Sequence, residues 1–197
     1  MSAFTRRDEV LNAESVSLTD IAAEFGSRAE FFPAAIEAAL DEFQRELTGF
    51  DGLVCYAVKA NSNLAVLNLL ARRGAGFDIV SEGELRRVLN AGADPRQIVF
   101  SGVGKTAREM ELALDIGILC FNVESAAELE RLDGVAAAMG KTAPISLRVN
   151  PDVDAKTHPY ISTGLKENKF GVAHADAVRL YTLAASMPGI EVHGIEC

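Results

Sequence analysis

From residue 53 onward the chain alternates short β-rich runs with helical patterns, and that alternation limits the fold more than any other feature. The runs occupy residues 53–59, 76–80, 98–101, 118–123, 145–150 and 191–197. Between the early runs, apolar residues recur three and four apart, as in Leu64, Leu67, Leu70 and Ala71. Strands separated by helices of this length cannot pair as hairpins. They lie parallel, joined by right-handed crossovers, which gives an α/β fold. Upstream, residues 19–25 and 33–47 read as helices. The second opens on Pro33, which suits a first helical turn, and carries an apolar face of Ile36, Ala39, Leu40, Phe43 and Leu47.

A weak internal repeat narrows the class. Ser81-Glu82-Gly83-Glu84-Leu85-Arg86-Arg87-Val88 follows one run, and Ser125-Ala126-Ala127-Glu128-Leu129-Glu130-Arg131-Leu132 follows another. Both fit S-x-x-E-L-x-R-[V/L], 44 positions apart. The S-x-x-E part predicts a capping box, in which the serine accepts the third helical N–H and the glutamate reaches back to the cap. Two joints built alike point to repeated βα units and a TIM-type (β/α)8 barrel, with a doubly wound open sheet as the alternative. Six strands are visible of the eight that a barrel needs. The expected organisation is a lead-in with two helices over 1–52 and an incomplete barrel over 53–197.

Charge and cysteine usage exclude several classes. The chain has 197 residues and carries 19 basic against 28 acidic side chains, net −9, which argues against nucleic acid or an anionic membrane surface as the main partner. No apolar run approaches the ~20 residues of a membrane span. Residues 1–12 are charged and lack the apolar stretch of a signal peptide. Cys55, Cys120 and Cys197 form no CxxC pair, so a reducing cytoplasm is the expected compartment.

Two familiar ligand motifs fail. Gly104-Lys105-Thr106 resembles the end of a Walker A loop, but the leading glycine would fall at position 99, which is Val99. The plainer reading is a glycine-rich βα turn. Gly74 and Gly76 lack the third glycine of a dinucleotide fingerprint, since position 79 is Ile79. His158, His174 and His193 have no ligand spacing, so no metal site is expected.

The informative stretch is Cys55-Tyr56-Ala57-Val58-Lys59-Ala60-Asn61. On an alternating strand Cys55, Ala57 and Lys59 share a face, with Lys59 at the carboxyl end, where barrel active sites gather. A lysine enclosed among barrel strands loses solvation, which favours the free amine that attacks a carbonyl. The alternative is a lysine snorkelling into solvent. Asp78 and Arg148 close neighbouring runs, as a shared site at one barrel face requires. An acid beside a pyridine nitrogen keeps it protonated, and an arginine can hold a carboxylate. Asp78 as a turn residue, Arg148 in a structural ion pair and Glu84 as a helix cap remain open beside those roles.

These residues stand in text that resembles the diaminopimelate decarboxylases, within the barrel-type pyridoxal-phosphate decarboxylases. The matching segments are Tyr56-Ala57-Val58-Lys59-Ala60-Asn61-Ser62-Asn63, Gly76-Phe77-Asp78-Ile79-Val80-Ser81, Phe100-Ser101-Gly102-Val103-Gly104-Lys105-Thr106 and Phe121-Asn122-Val123-Glu124-Ser125. The most specific are Leu147-Arg148-Val149-Asn150-Pro151 and Thr157-His158-Pro159-Tyr160-Ile161-Ser162-Thr163-Gly164. The last separates diaminopimelate enzymes from ornithine and arginine decarboxylases. The resemblance implies pyridoxal 5′-phosphate as cofactor, Lys59 as the lysine of the internal aldimine, and Glu84 as the acid on the pyridine nitrogen. Asp78 and Arg148 would line the cofactor's neighbourhood, and residues 157–164 would lie near the substrate entrance. Glu82 replaces a glycine usual in the family, and residues 27–32 depart from its usual strand.

The implied reaction is decarboxylation of meso-2,6-diaminoheptanedioate to L-lysine and carbon dioxide, the last step of lysine biosynthesis, by a homodimer acting on a small amino acid. An ornithine- or arginine-type decarboxylase and a non-catalytic pyridoxal-phosphate carrier are the alternatives. The family's second β domain, phosphate grips and proton-donor cysteine have no counterpart here, so none of the three cysteines takes the donor role. A full barrel needs about 250 residues. The chain therefore reads as part of a longer enzyme, and the segment alone is expected to fold poorly and not to turn over.

Overall fold

A computed structural model of the protein describes residues 4–26, 33–151 and 170–197. Its N-terminal part holds β1 (Phe4–Arg7), β2 (Val10–Ala13), β3 (Val16–Ser17), α1 (Leu18–Phe25) and α2 (Pro33–Glu46). The remainder runs β4 (Cys55–Ala57), α3 (Leu64–Arg72), β5 (Gly76–Ile79), α4 (Glu82–Asn90), β6 (Ile98–Phe100), α5 (Ala107–Ile116), β7 (Cys120–Val123) and α6 (Ala126–Met139). It ends with β8 (Ala143–Asn150), β9 (Val172–Ala173), α7 (His174–Ser186) and β10 (Ile190–Glu196).

The spatial order β4-β5-β6-β7-β8-β10 follows the chain order, every pairing in it is parallel, and the short β9 pairs with the end of β8. A doubly wound sheet reverses its strand order at a switch point. This sheet has no reversal, so it is barrel-type and open, since β4 and β10 do not pair.

Alternation divides the sheet into two faces. Phe77, Ile79, Ile98, Phe100, Phe121, Val123, Ile145 and Leu147 point to the helices and are wholly buried. They meet Leu67, Leu85, Val88, Met110, Leu129 and Leu132, which are buried as completely. Burying each large side chain contributes about 1.5–3 kcal/mol. The opposite, concave face carries Asp78, Ser101, Asn122, Ser146 and Arg148.

The N-terminal antiparallel sheet β1-β2-β3 was not expected from the sequence. Its first hairpin pairs Arg7 with Val10 and turns through Asp8 and Glu9, both at positive φ (49° and 64°). Such a turn normally announces itself as Asn-Gly, and Asp-Glu gives no such sign. Residues 27–32 and 157–164 lie outside the described residues.

The paired serine motifs act as helix starts, with one correction. Ser81 Oγ accepts the Glu84 N–H and Ser125 Oγ accepts the Glu128 N–H, both at 3.2 Å. Neither glutamate returns to its cap. Glu84 accepts the Val80 N–H at 2.7 Å, and Glu128 accepts the Glu124 N–H at 3.2 Å, one residue earlier in each case. The joints are alike, but their caps are extended (φ −161° and −158°). The complete capping box forms at Thr106 and Glu109, where the cap has φ −83°.

Candidate active site

The run predicted over 53–59 is strand only as far as Ala57. Val58, fully buried, starts a single 3-10 turn that contains Lys59 and ends at Ala60. Beyond it Asn61 Oδ1 accepts the Asn63 N–H, and Asn63 Oδ1 caps α3 through the Ala65 N–H. These side chains compete for the backbone and end the strand early. Lys59 thus stands on a turn rather than on the face of Cys55 and Ala57. It is exposed, not enclosed, because β4 has a neighbouring strand on one side only. Among the described residues it makes no hydrogen bond or ion pair.

A concave cavity of about 220 Å³ opens at the carboxyl ends of the strands. Lys59, Asp78 and Arg148 line it together, with Val80, Ser101, Gly102, Glu124, Phe170 and Glu196. Glu84 is outside that lining. Its carboxylate is engaged by the Val80 N–H, and Val80 forms part of the wall.

Arg148 is the hub of the far wall. Its Nη1 donates to Glu124 Oε1 at 3.1 Å, its Nε lies 3.6 Å from Glu196 Oε1, and its guanidinium sits 5.4 Å from the centre of the Phe170 ring. Glu124 is buried and held on all sides. The N–H of Gly102 donates to Oε1 at 3.0 Å and that of Gly171 to Oε2 at 3.2 Å. Both glycines have left-handed backbones (φ 96° and 80°), and a Cβ on Gly171 would stand 2.6 Å from the Arg148 carbonyl. Glycine is therefore required where the chain passes behind Arg148.

Glu196 reaches the cavity past a bulge between Val192 and Gly194 that shifts the register by one residue and sets it opposite Arg148. Its Oε2 is buried with no hydrogen-bond partner among the described residues. Desolvation pushes its pKa up; Glu124 and Asp78 push the same way, and Arg148 and Lys105 only partly offset them. On the near wall, Asp78 Oδ1 accepts the Ser101 hydroxyl at 2.6 Å. Burial, then the charge of Asp78, pushes the Cys55 thiol up to about 11, so it is not a thiolate at neutral pH.

The Walker-like lysine is structural. Lys105 is buried and its ammonium donates to the carbonyls of Gly102 and Asn122 and to Glu128 Oε1, each at 2.7 Å. An ammonium has three donors. All three are spent, and none remains for a phosphate.

A larger cavity of about 540 Å³ lies between α2 and β4, lined by Ile36, Leu40, Phe43, Tyr56 and Leu70 among others, with no charged side chain. It can bury apolar groups but carries no carboxylate, imidazole or amine. Of these two cavities, only the smaller is lined by charged side chains. Sequence reasoning missed Glu124, Glu196, Ser101, Asn122 and Ser146. Four strands do carry a readable sign, an apolar residue followed by a polar one: Phe77-Asp78, Phe100-Ser101, Phe121-Asn122 and Ile145-Ser146.

An exposed amine, three carboxylates and a guanidinium converge at the strand ends, a donor set suited to a pyridoxal aldehyde and its ring. Residues 33–197 match the family model described as pyridoxal-dependent decarboxylase, pyridoxal binding domain. The chain belongs to the pyridoxal-dependent decarboxylase family. Within this family it is 59% identical, over its whole length, to a diaminopimelate decarboxylase of Pseudomonas aeruginosa, of which it covers 48%. It thus spans about half the length of the curated relatives it matches. Among solved structures it resembles diaminopimelate decarboxylase from M. jannaschii in co-complex with L-lysine, with a TM-score of 0.88 and 33% identity over 99% of this chain and 48% of that one. It also resembles the Helicobacter pylori enzyme complexed with L-lysine, with a TM-score of 0.81 and 46% identity over 86% of this chain and 45% of that one. The barrel-type fold expected from the repeated βα units is thereby shown, with the barrel not closed among the described residues. Among the described residues no helix is long and apolar enough to cross a membrane, and no cluster of His, Cys, Asp and Glu could hold a metal ion.

Proposed function

We propose that the full-length protein is a pyridoxal 5′-phosphate-dependent decarboxylase that converts meso-2,6-diaminoheptanedioate to L-lysine and carbon dioxide. The observation that carries this reading is the convergence of Lys59, Asp78 and Arg148 on one cavity. Support for the substrate comes from the names of the relatives and from the L-lysine in their complexes.

The residues fit the cofactor. The Lys59 amine, unpaired among the described residues, would hold the aldehyde carbon. Asp78, fixed through one oxygen, presents its charge to the cavity. Arg148, tied to Glu124, offers a planar donor that does not swing. Glu124 keeps that guanidinium in place, its own oxygens held by the N–H groups of Gly102 and Gly171. Glu84 acts at one remove, fixing the Val80 backbone that walls the cavity. Pyridoxal phosphate, when bound, supplies the electron sink that stabilises the carbanion left by loss of carbon dioxide. The full-length enzyme would act in the cytoplasm as a homodimer, which light scattering on the purified protein tests.

The direct experiment mixes full-length protein with pyridoxal phosphate and records the absorbance of the lysine-bound cofactor. Carbon dioxide release is then compared for diaminopimelate, ornithine, arginine and alanine. Release from diaminopimelate is expected. Release from ornithine alone would overturn the substrate assignment.

A further inference from the structure

The concave face holds a row of four polar side chains carried on, or just beyond, four adjacent strands. Ser146 from β8 donates to Asn122 Oδ1 at 2.6 Å; Asn122 from β7 donates through Nδ2 to Ser101 Oγ at 2.9 Å; Ser101, just beyond β6, donates to Asp78 Oδ1 on β5 at 2.6 Å. Ser101 and Ser146 are buried, at 6% and 8% exposure. Asp78 and Ser101 line the cavity, whereas Asn122 and Ser146 stand behind it.

The direction of this row follows from valence. A carboxylate only accepts, and a hydroxyl has one proton. The Ser101 proton must therefore go to Asp78. Ser101 can then be satisfied from its other side only by a donor, which fixes the Asn122 amide with Nδ2 toward Ser101. That leaves Oδ1 facing Ser146, so Ser146 must donate. Three successive hydrogen bonds across four strands end on one carboxylate oxygen. Reversing any member sets donor against donor or acceptor against acceptor in a buried place, which costs more than the bond itself is worth.

We infer that Ser146, Asn122 and Ser101 are positioning residues that orient Asp78 toward the cofactor, acting across the sheet from a point that no ligand in the cavity touches. The inference rests on the proposed pyridoxal-phosphate site. It assigns a function to Ser146, which is two strands away from Ser101 and outside the lining. The row also predicts that Ser146 acts on cofactor binding only through Asp78.

The test is a double-substitution cycle in the full-length protein, read as the dissociation constant of pyridoxal phosphate from its lysine-bound absorbance, with thermal unfolding followed alongside. Ser146→Ala should weaken cofactor retention about fivefold, the equivalent of one hydrogen bond. Ser146→Thr, which keeps the hydroxyl, should restore it. In an Asp78→Asn background Ser146→Ala should have little further effect, because the two share one pathway. Asn122→Asp keeps the acceptor for Ser146 but cannot donate to Ser101. It serves as the second variant, expected to match Ser146→Ala even if that protein folds poorly. Unchanged retention in both Ser146→Ala and Asn122→Asp overturns the inference. So do effects of Ser146→Ala and Asp78→Asn that simply add, since a row that only fills the interior would behave in that way. Wild-type protein that takes up no pyridoxal phosphate, or Lys59→Ala protein that keeps the lysine-bound absorbance, overturns the site itself and the row with it.

Discussion

Lys59 and Lys105 both follow a parallel strand by a few residues, yet their surroundings oppose each other. Lys105 is buried, salt-bridged to Glu128 at 2.7 Å and bonded to two carbonyls. Lys59 is exposed at the cavity and pairs with no described residue. In sequence the emphasis is reversed: Lys105 sits in a Gly-Lys-Thr motif that suggests a phosphate, and Lys59 ends an apolar run. The contrast shows what separates a reactive lysine from a structural one. A buried ammonium with every proton assigned is a strut, whereas an amine left without a partner beside acids and a guanidinium is available for chemistry.

Exchanging the two lysines for alanine tests that contrast most severely. Lys59→Ala in the full-length protein should abolish lysine-bound cofactor absorbance and lower turnover on the order of a thousandfold or more. Its unfolding midpoint in urea should stay close to wild type. Lys105→Ala should do the opposite to stability. It strands the Glu128 carboxylate in the interior and should cost about 3–5 kcal/mol in urea unfolding. Replacing both partners with apolar residues, Lys105→Met with Glu128→Leu, should recover much of that loss. A stable Lys105→Ala protein would erase the distinction between the two lysines.

Arg148→Lys sharpens the comparison from the far wall. The guanidinium serves Glu124, Glu196 and the Phe170 ring at once, and a lysine ammonium cannot replicate that planar arrangement. Decarboxylation should fall about tenfold, the scale of one charged hydrogen bond. A variant with wild-type kcat and KM for diaminopimelate would show that Arg148 is only a structural ion pair.

The helix-facing half of this molecule was legible in the sequence, and the concave half only in part. Phe77, Phe100, Phe121 and Ile145 announce their strands because apolar burial has a simple period. Lys59, Asp78 and Arg148 could be placed at strand ends on the same basis. The partners that define their chemistry come from other strands: Ser101 for Asp78, Glu124 for Arg148 and Glu128 for Lys105. Such pairings depend on register and rotamer, which no local pattern encodes. The turn that takes Lys59 off its strand was hidden for a different reason. Val58 is as buried as any strand residue, and only the asparagines beyond it reveal the bend. Glu84 shows a third limit, since S-x-x-E gives the cap but not which N–H the acid will choose.

The smallest expected effect concerns Glu109, the acid of the capping box that closes at Thr106. Burial disfavours its charged form, but the N–H groups of Thr106 and Glu82, the Thr106 hydroxyl and the charge of Lys105 together outweigh that, and its pKa lies below the ordinary 4.5. A carboxylate lowered by folding stabilises the native state above its unfolded pKa, and that contribution is lost as pH falls through the folded value. Glu109→Gln should therefore cost about 1 kcal/mol near neutral pH, the usual scale of a helix cap. The carboxyl is half-exposed, so solvent screens its electrostatic share. The gap between variant and wild type should narrow as the pH is taken below 4.5. Urea unfolding at a series of pH values measures it. A gap that stays constant into the acid range would mean that Glu109 acts through shape alone. The cap would then owe nothing to the charge of Lys105, and the buried lysine would be a strut for Glu128 but not for the neighbouring helix start.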